Sequence, residues 1–187
     1  MSKALVAAVA LLLAATGIAT ASVVGNHYPL ALFSYSVQGG STNYNNNNNG
    51  AIAAAGNVTV IKPAVINLGN LTAGQIGNYT TTAVIAVNSP GWFVIGLNDS
   101  LLDPVFSYFM AKLTIGNQTV ILVQNGDGNS HGEAKVYLAK GVYNVTVYIH
   151  YVVSPHPASK TVNSGSLLII GPNDYEEHSH HDHHGED

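Results

Sequence analysis

The sequence predicts an all-β protein folded as a two-sheet sandwich, and two observations carry that expectation. From about residue 51 to residue 170 the chain is a succession of short segments rich in Val, Ile, Thr and Tyr, separated by Gly, Pro and Asn. Helical signal is almost absent: only LLDPVFSYFM, residues 101–110, reads as a helical turn, with Pro104 placed to begin it. So many strands with so little helix point to a packed pair of sheets.

The chain opens on MSKALVAAVALLLAATGIATA, residues 1–21, with Lys3, a twelve-residue apolar run over 4–15, and Ala19-Thr20-Ala21 as a small-residue cleavage pattern. This reads as an export signal cut before Ser22. A retained anchor is the competing reading, but the widest apolar window of eighteen residues falls short of the ~20 that span a bilayer. The expected product is secreted, with no stable membrane span after cleavage.

Behind the signal lies VVGNHYPLALFSYSV, in which Ala31, Phe33, Tyr35 and Val37 share one face of an extended chain and Leu32, Ser34 and Ser36 the other. Residues 38–50, QGGSTNYNNNNNG, hold five consecutive asparagines and three glycines, too little apolar content to pack. Thirteen such residues form a tether spanning ~20 Å root-mean-square at ~5–6 Å × √n. The organisation is thus a signal at 1–21, a strand and linker at 22–50, a sandwich at 51–173 and an acidic His-rich tail at 174–187.

Within the sandwich, strands are expected at 57–61, 64–68, 81–88, 92–98, 111–115, 118–123, 133–139, 142–153 and 166–170. Gly116-Asn117 is a two-residue hairpin loop, and Lys140-Gly141 reads as another such turn. In 142–153, Val145, Val147, Ile149 and Tyr151 alternate with Asn144, Thr146, Tyr148 and His150, the pattern of a central strand with one face in the core.

Composition narrows the function. With no cysteine, this exported chain relies on packing and strand pairing rather than disulfides. Only 9% of residues are charged. Residues 22–173 carry Lys62, Lys112, Lys135, Lys140 and Lys160 against Asp99, Asp103, Asp127 and Glu133, a balance of +1 with no basic cluster. Nucleic acid, whose phosphates call for a clustered basic face, is not an expected partner. There is no cysteine nucleophile, HExxH motif, Gly-rich phosphate loop or evident carboxylate pair, so neither catalysis nor a cofactor is implied. His27, His131, His150 and His156 are scattered, and His150 sits on the polar face of its strand.

The spare strand has two destinations. It completes its own sandwich, or it fills a groove in a neighbouring copy, where four buried side chains at ~1.5–3 kcal/mol each add on the order of 6–12 kcal/mol before ordering costs. Donor and acceptor surfaces differ, so the second route is head-to-tail and generates a ring or an open filament. A glycan-binding monomer is a further alternative, resting on Trp92 and the ten tyrosines as stacking surfaces.

Residues 55–98, AGNVTVIKPAVINLGNLTAGQIGNYTTTAVIAVNSPGWFVIGLN, resemble the opening of the TasA/camelysin family of secreted biofilm-fibre proteins. The likeness lies in a short strand after Gly56, the INLGNLTAGQ motif at 66–75 and a strand pair ending at Leu97-Asn98. FSYFMAKLTIG at 106–116 and ALFS at 31–34 extend it over most of the chain behind the signal. The resemblance implies a jelly-roll-like two-sheet sandwich with an N-terminal donor strand, polymerising by donor-strand complementation into pilus or biofilm filaments. The low charge and Asn/Thr/Tyr-rich character resemble the archaeal bundling pilus subunits related to TasA. Camelysin relatives have been described as proteases, but no catalytic motif matches and no catalytic residue is carried over.

Six acceptor sequons, at Asn57, Asn70, Asn78, Asn98, Asn117 and Asn144, predict glycosylation of some members. Asn117, in its turn, and Asn78, read as a loop residue, are the favoured sites. The tail DYEEHSHHDHHGED combines His178, His180, His181, His183 and His184 with six carboxylates, a donor set suited to Zn, Cu or Ni but without rigid spacing. It reads as a solvated tail that binds metal weakly or, alternatively, links filaments through metal. If the tail bridges filaments, removing residues 174–187 or adding a chelator disperses bundles into single filaments in electron micrographs; unchanged bundles reject the bridge.

Overall fold

The computed structural model describes residues 27–37, 43–44, 54–55, 57–125 and 131–173. The expected signal, most of the linker, and the whole tail with its five histidines therefore lie outside the described residues. The strands are β1 Tyr28–Val37, β2 Asn43–Tyr44, β3 Ala54–Ala55, β4 Val58–Lys62, β5 Ala64–Leu71, β6 Ile76–Val87 and β7 Gly91–Leu97. A 3₁₀ turn at Asp99–Leu101 leads to β8 Phe106–Ile115, β9 Gln118–Asn125, β10 Glu133–Leu138, β11 Gly141–Val153 and β12 Lys160–Pro172.

One sheet has the order β10-β7-β12-β1-β5, with β2 beside β12, and the other the order β3-β4-β6-β11-β8-β9. The two sheets form the all-β sandwich that the sequence predicts. The inner faces supply a continuous apolar core, with Phe33, Phe93, Phe109, Ile85, Ile95 and Leu113 among its fully buried side chains. β11 lies between β6 and β8, and its Val145, Val147, Ile149 and Tyr151 are buried while the intervening residues are half-buried or exposed, as expected of a central strand.

Hairpins are few because most short connections pass from one sheet to the other. β8 and β9 form the expected hairpin, with Gly116 at φ +57 and no positive φ at Asn117, the arrangement of a type II′ loop. Lys140-Gly141 departs from expectation: it joins β10 of one sheet to β11 of the other and closes no hairpin.

The strands define two ends of the sandwich. At the Tyr28 end, Tyr28 pairs with Ile170, Gly91 with Leu138 and Gly141 with Val87. At the Val37 end, Val37 pairs with Lys160 and Leu71, and the 72–75 turn meets the 154–159 connection through a Gly74 N–H to Ser154 carbonyl bond of 3.2 Å.

The helical turn expected over residues 101–110 is confined to its start: the Val105 and Phe106 N–H groups close a turn on the Leu102 carbonyl at 2.8 and 3.1 Å, and the rest is strand. The only helical residues described are Asp99–Leu101, Pro104 follows them, and strand β8 begins at Phe106. The misleading signal is physical: a register shift between Val152 and Val153 puts both Phe106 and Phe109 inside, and their spacing of three imitates a helix face.

Candidate functional site

β1 lies in the interior of its sheet, antiparallel to β12 and parallel to β5. β12 and β5 are consequently antiparallel walls of a slot one strand wide, which two strand spacings make ~9.5 Å across. The floor of the slot is the aromatic surface of β8. Phe33 of β1 meets Phe109 with ring centroids 5.8 Å apart and Phe106 at 6.3 Å, and Tyr35 meets Phe106 edge-on at 5.4 Å.

The predicted inward face, Ala31, Phe33, Tyr35 and Val37, is buried, and Leu32, Ser34 and Ser36 are half-buried. Tyr28 and Leu30 are buried as well, which strict alternation misses. Register shifts against β12 between Pro29 and Ala31, and between Ala31 and Leu32, change the phase so that residues of both parities face the core. Pro29 in an otherwise apolar strand is the signal in the sequence that such an irregularity lies here.

At the Val37 end the loop after β7 closes the slot. The Tyr35 hydroxyl donates to the Leu101 carbonyl at 2.6 Å, and Lys160 Nζ donates to the Ser100 and Asp103 carbonyls at 2.7 Å each. The Gln124 amide donates to the Asp103 carboxylate behind them. Leu101 also presses on Gly165 of β12, the residue opposite Phe33, where an added Cβ would stand 2.7 Å from a Leu101 methyl. On the outer face the Ser36 and Thr161 hydroxyls are 3.2 Å apart. Lys160–Ser164 is polar (KTVNS) and carries no strand signal of its own; it is a strand because Tyr35, Ser36 and Val37 of β1 pair with Val162, Thr161 and Lys160.

Among the sequons, Asn78 is not in a loop: it lies in β6 opposite His150. β6 starts five residues before the expected 81, since its first seven residues contribute no buried side chain and carry no apolar alternation. Asn78 Oδ1 accepts from the Tyr148 hydroxyl at 2.8 Å and lies 2.7 Å from His150 Nδ1. Asn57, Asn70, Asn78, Asn117 and Asn144 are exposed, and Asn98 is half-buried with its Nδ2 donating to the Ser166 carbonyl at 3.3 Å. Trp92 packs edge-on against Tyr137 across β7 and β10 at 5.6 Å, on the outer face at the Tyr28 end. Among the described residues no group of three or more His, Cys, Asp or Glu side chains is placed to hold a metal ion. No helix among them is long and apolar enough to cross a membrane.

No protein family matches the chain, and no curated protein matches it by sequence.

The slot is sensitive to alkali through Tyr35. Burial pushes its phenol well above the ordinary value of about 10. The folded state keeps a proton that the unfolded chain releases, so stability is full below about pH 10 and falls as pH rises beyond it. Burial lowers the Lys160 pKa, an effect that Asp103 opposes. There the unfolded chain holds a proton that the folded state has lost, so stability rises with pH in the window below about 10.4. Tyr35→Phe lowers stability at neutral pH by about 1–3 kcal/mol, because the buried Leu101 carbonyl loses its donor, and removes the decline above about pH 10. Urea melts of both proteins at about pH 7 and pH 11 check this, and an unchanged alkaline decline in the variant rejects it.

Proposed function

We propose that the protein is a secreted structural subunit whose first strand fills the slot of a neighbouring copy, so that subunits polymerise head-to-tail by donor-strand complementation into extracellular pilus or biofilm-matrix filaments. One observation carries the reading: the strand that forms the middle of a sheet comes first and is joined to the body only through the Asn-rich segment. Tyr28, Leu30, Phe33, Tyr35 and Val37 of β1 are buried together with Ala31, and each large side chain contributes about 1.5–3 kcal/mol of burial. The same contacts form whether the strand arrives from its own chain or from another. The resemblance of residues 55–98 to TasA/camelysin proteins supports the same assignment.

Deleting residues 22–37 tests it. Filaments are lost, the remaining body melts without cooperativity, and a synthetic peptide of residues 22–37 restores a cooperative melt. Filaments that persist without the segment reject the reading.

Glycosylation belongs to the same proposal. The exposed Asn117 in its turn and Asn57 beside β4 are the favoured acceptors, and Asn98, whose amide nitrogen is engaged, is disfavoured. Intact mass of the secreted protein then exceeds that of the polypeptide, Asn117→Gln removes one glycan, and Asn98→Gln changes nothing beyond the residue mass. An intact mass equal to the bare polypeptide overturns it.

A further inference from the structure

The outer face of β6, β11 and β8 carries an aromatic and apolar patch with a sequon at its rim. Asn78, Tyr79 and Thr80 form the sequon, and Asn78 and Thr80 are exposed on the face opposite the buried Ala83 and Ile85. Across the ladder Asn78 pairs with His150, Thr80 with Tyr148 and Ile76 with Val152, and Val152 pairs in turn with Tyr108 of β8. Ile76 is 67% exposed, and Tyr108, Tyr148, His150 and Val152 are half-buried. The Tyr108 and His150 rings meet with centroids 5.8 Å apart. Contiguous apolar surface of this kind marks a place where something else packs.

The Asn78 carboxamide is aimed at that patch. Its Oδ1 accepts from the Tyr148 hydroxyl at 2.8 Å and lies 2.7 Å from His150 Nδ1, so both anchors stand on β11 and both engage the oxygen. The nitrogen is left for chemistry. A sugar attached to Nδ2 keeps the amide planar and trans, which sets the sugar C1 on the same side as Oδ1. The anchors therefore survive the modification and steer the first sugar over Tyr148, His150 and Tyr108, not away from the sheet. The apolar C–H face of a pyranose stacks on aromatic rings, while the phenol and imidazole offer hydrogen bonds at its rim. Access comes from the ladder. Among the described residues β6 pairs with β4 only between Val84 and Val87, so residues 76–83 have β11 on one side and an open edge on the other. An edge strand presents its extended backbone to a transferase, and a glycan rooted there obstructs strand addition at that edge.

We infer that Asn78 is N-glycosylated and that its first sugar packs on Tyr108, Tyr148 and His150 as a fixed part of the protein surface. This rests on the glycosylation reading and adds to it a site and a bed for the glycan. The donor is an oligosaccharide carried on a lipid phosphate or diphosphate. The C1–O bond to the phosphate breaks, the Nδ2–C1 bond forms, Nδ2 loses one proton, and the lipid phosphate leaves with the bonding pair.

Thr80 supplies the test, since the sequon requires its exposed hydroxyl and the Asn78 hydrogen bonds do not. In the full secreted protein, Thr80→Ala lowers the intact mass by one glycan beyond the residue difference, and Thr80→Ser, which restores the sequon, keeps that glycan. Tetranitromethane reads the packing: nitration of Tyr108 and Tyr148, located by peptide mass spectrometry, is several-fold faster in Thr80→Ala than in the wild type or Thr80→Ser. A Thr80→Ala protein with every glycan in place, beside an Asn117→Gln protein that has lost one, overturns the Asn78 assignment while glycosylation stands. Loss of the glycan with unchanged nitration overturns the packing. A wild-type mass equal to the bare polypeptide overturns both the site and the glycosylation reading.

Discussion

The structure depends on a strand that stands in the middle of a sheet between two strands it neither directly precedes nor directly follows in the chain. Among the described residues β5 has β1 as its only ladder partner, and β12 is paired with β1 along nearly its whole length. Phe106 and Phe109, on the facing sheet, pack their rings on Phe33. Without β1 the sheet would break into an orphan β5 and a β12 with one bare edge, and the aromatic floor would face water. A parallel neighbour cannot be reached by a hairpin, and the route from β1 to β5 passes through β3 and β4 of the other sheet. No local element therefore holds β1 in place; its contacts do.

Those contacts specify register strongly. The phase change near Pro29 and the Tyr35 hydroxyl bond to Leu101 mark two separate points of the strand, so a slip by one residue would misplace both and turn Phe33 outward. A slot with such register control accepts one sequence in one position, and it does so equally for its own strand and for an identical strand from another copy. Under the proposed strand exchange, the linker would weigh in that choice by raising the local concentration of the chain's own strand when its length matches the span.

Fold class and the inward face of β1 were legible because alternation of Val, Ile, Tyr and Phe with polar residues is a direct consequence of a strand with one buried side. Legibility failed where that cause is absent. The first half of β6 and Lys160–Ser164 of β12 are polar and are ordered by their partners, not by their own apolar content. Phe106 and Phe109 obeyed the wrong period because an extra residue in β8, Ser107, opposite the Val152–Val153 step of β11, lets both point inward. Lys140-Gly141 has the residues of a turn, but a turn does not say which sheet the next strand joins. Tyr28 and Leu30 were hidden by the irregularity at Pro29, and the role of Lys160 as a cap on the slot needs the carbonyls of Ser100 and Asp103, which only the fold brings to it.

A protein that carries little charge and many strands must restrict where other copies attach, since every open edge is a template. The edges here are interrupted. At β5, Ser34 pairs with Asn67 but Ser36 pairs with Asn70, so an extra residue is looped out around Gly69, which sits at φ +66 with its N–H bound to the Asn67 side chain at 2.9 Å. A bulge there bends the free edge and denies it a flat ladder for a neighbour. On the other side the Gln118 amide donates to the Tyr137 carbonyl at 2.6 Å, tying β9 to β10 across the gap between sheets and occupying an acceptor that an incoming strand would need. Among the described residues, the interior position held by β1 is where a strand gains a double ladder and a buried face at once. Under the proposed strand exchange, association through that slot would have a single polarity and one donor per acceptor, which favours linear growth over the sheet-edge aggregation that the same β-rich composition would otherwise promote.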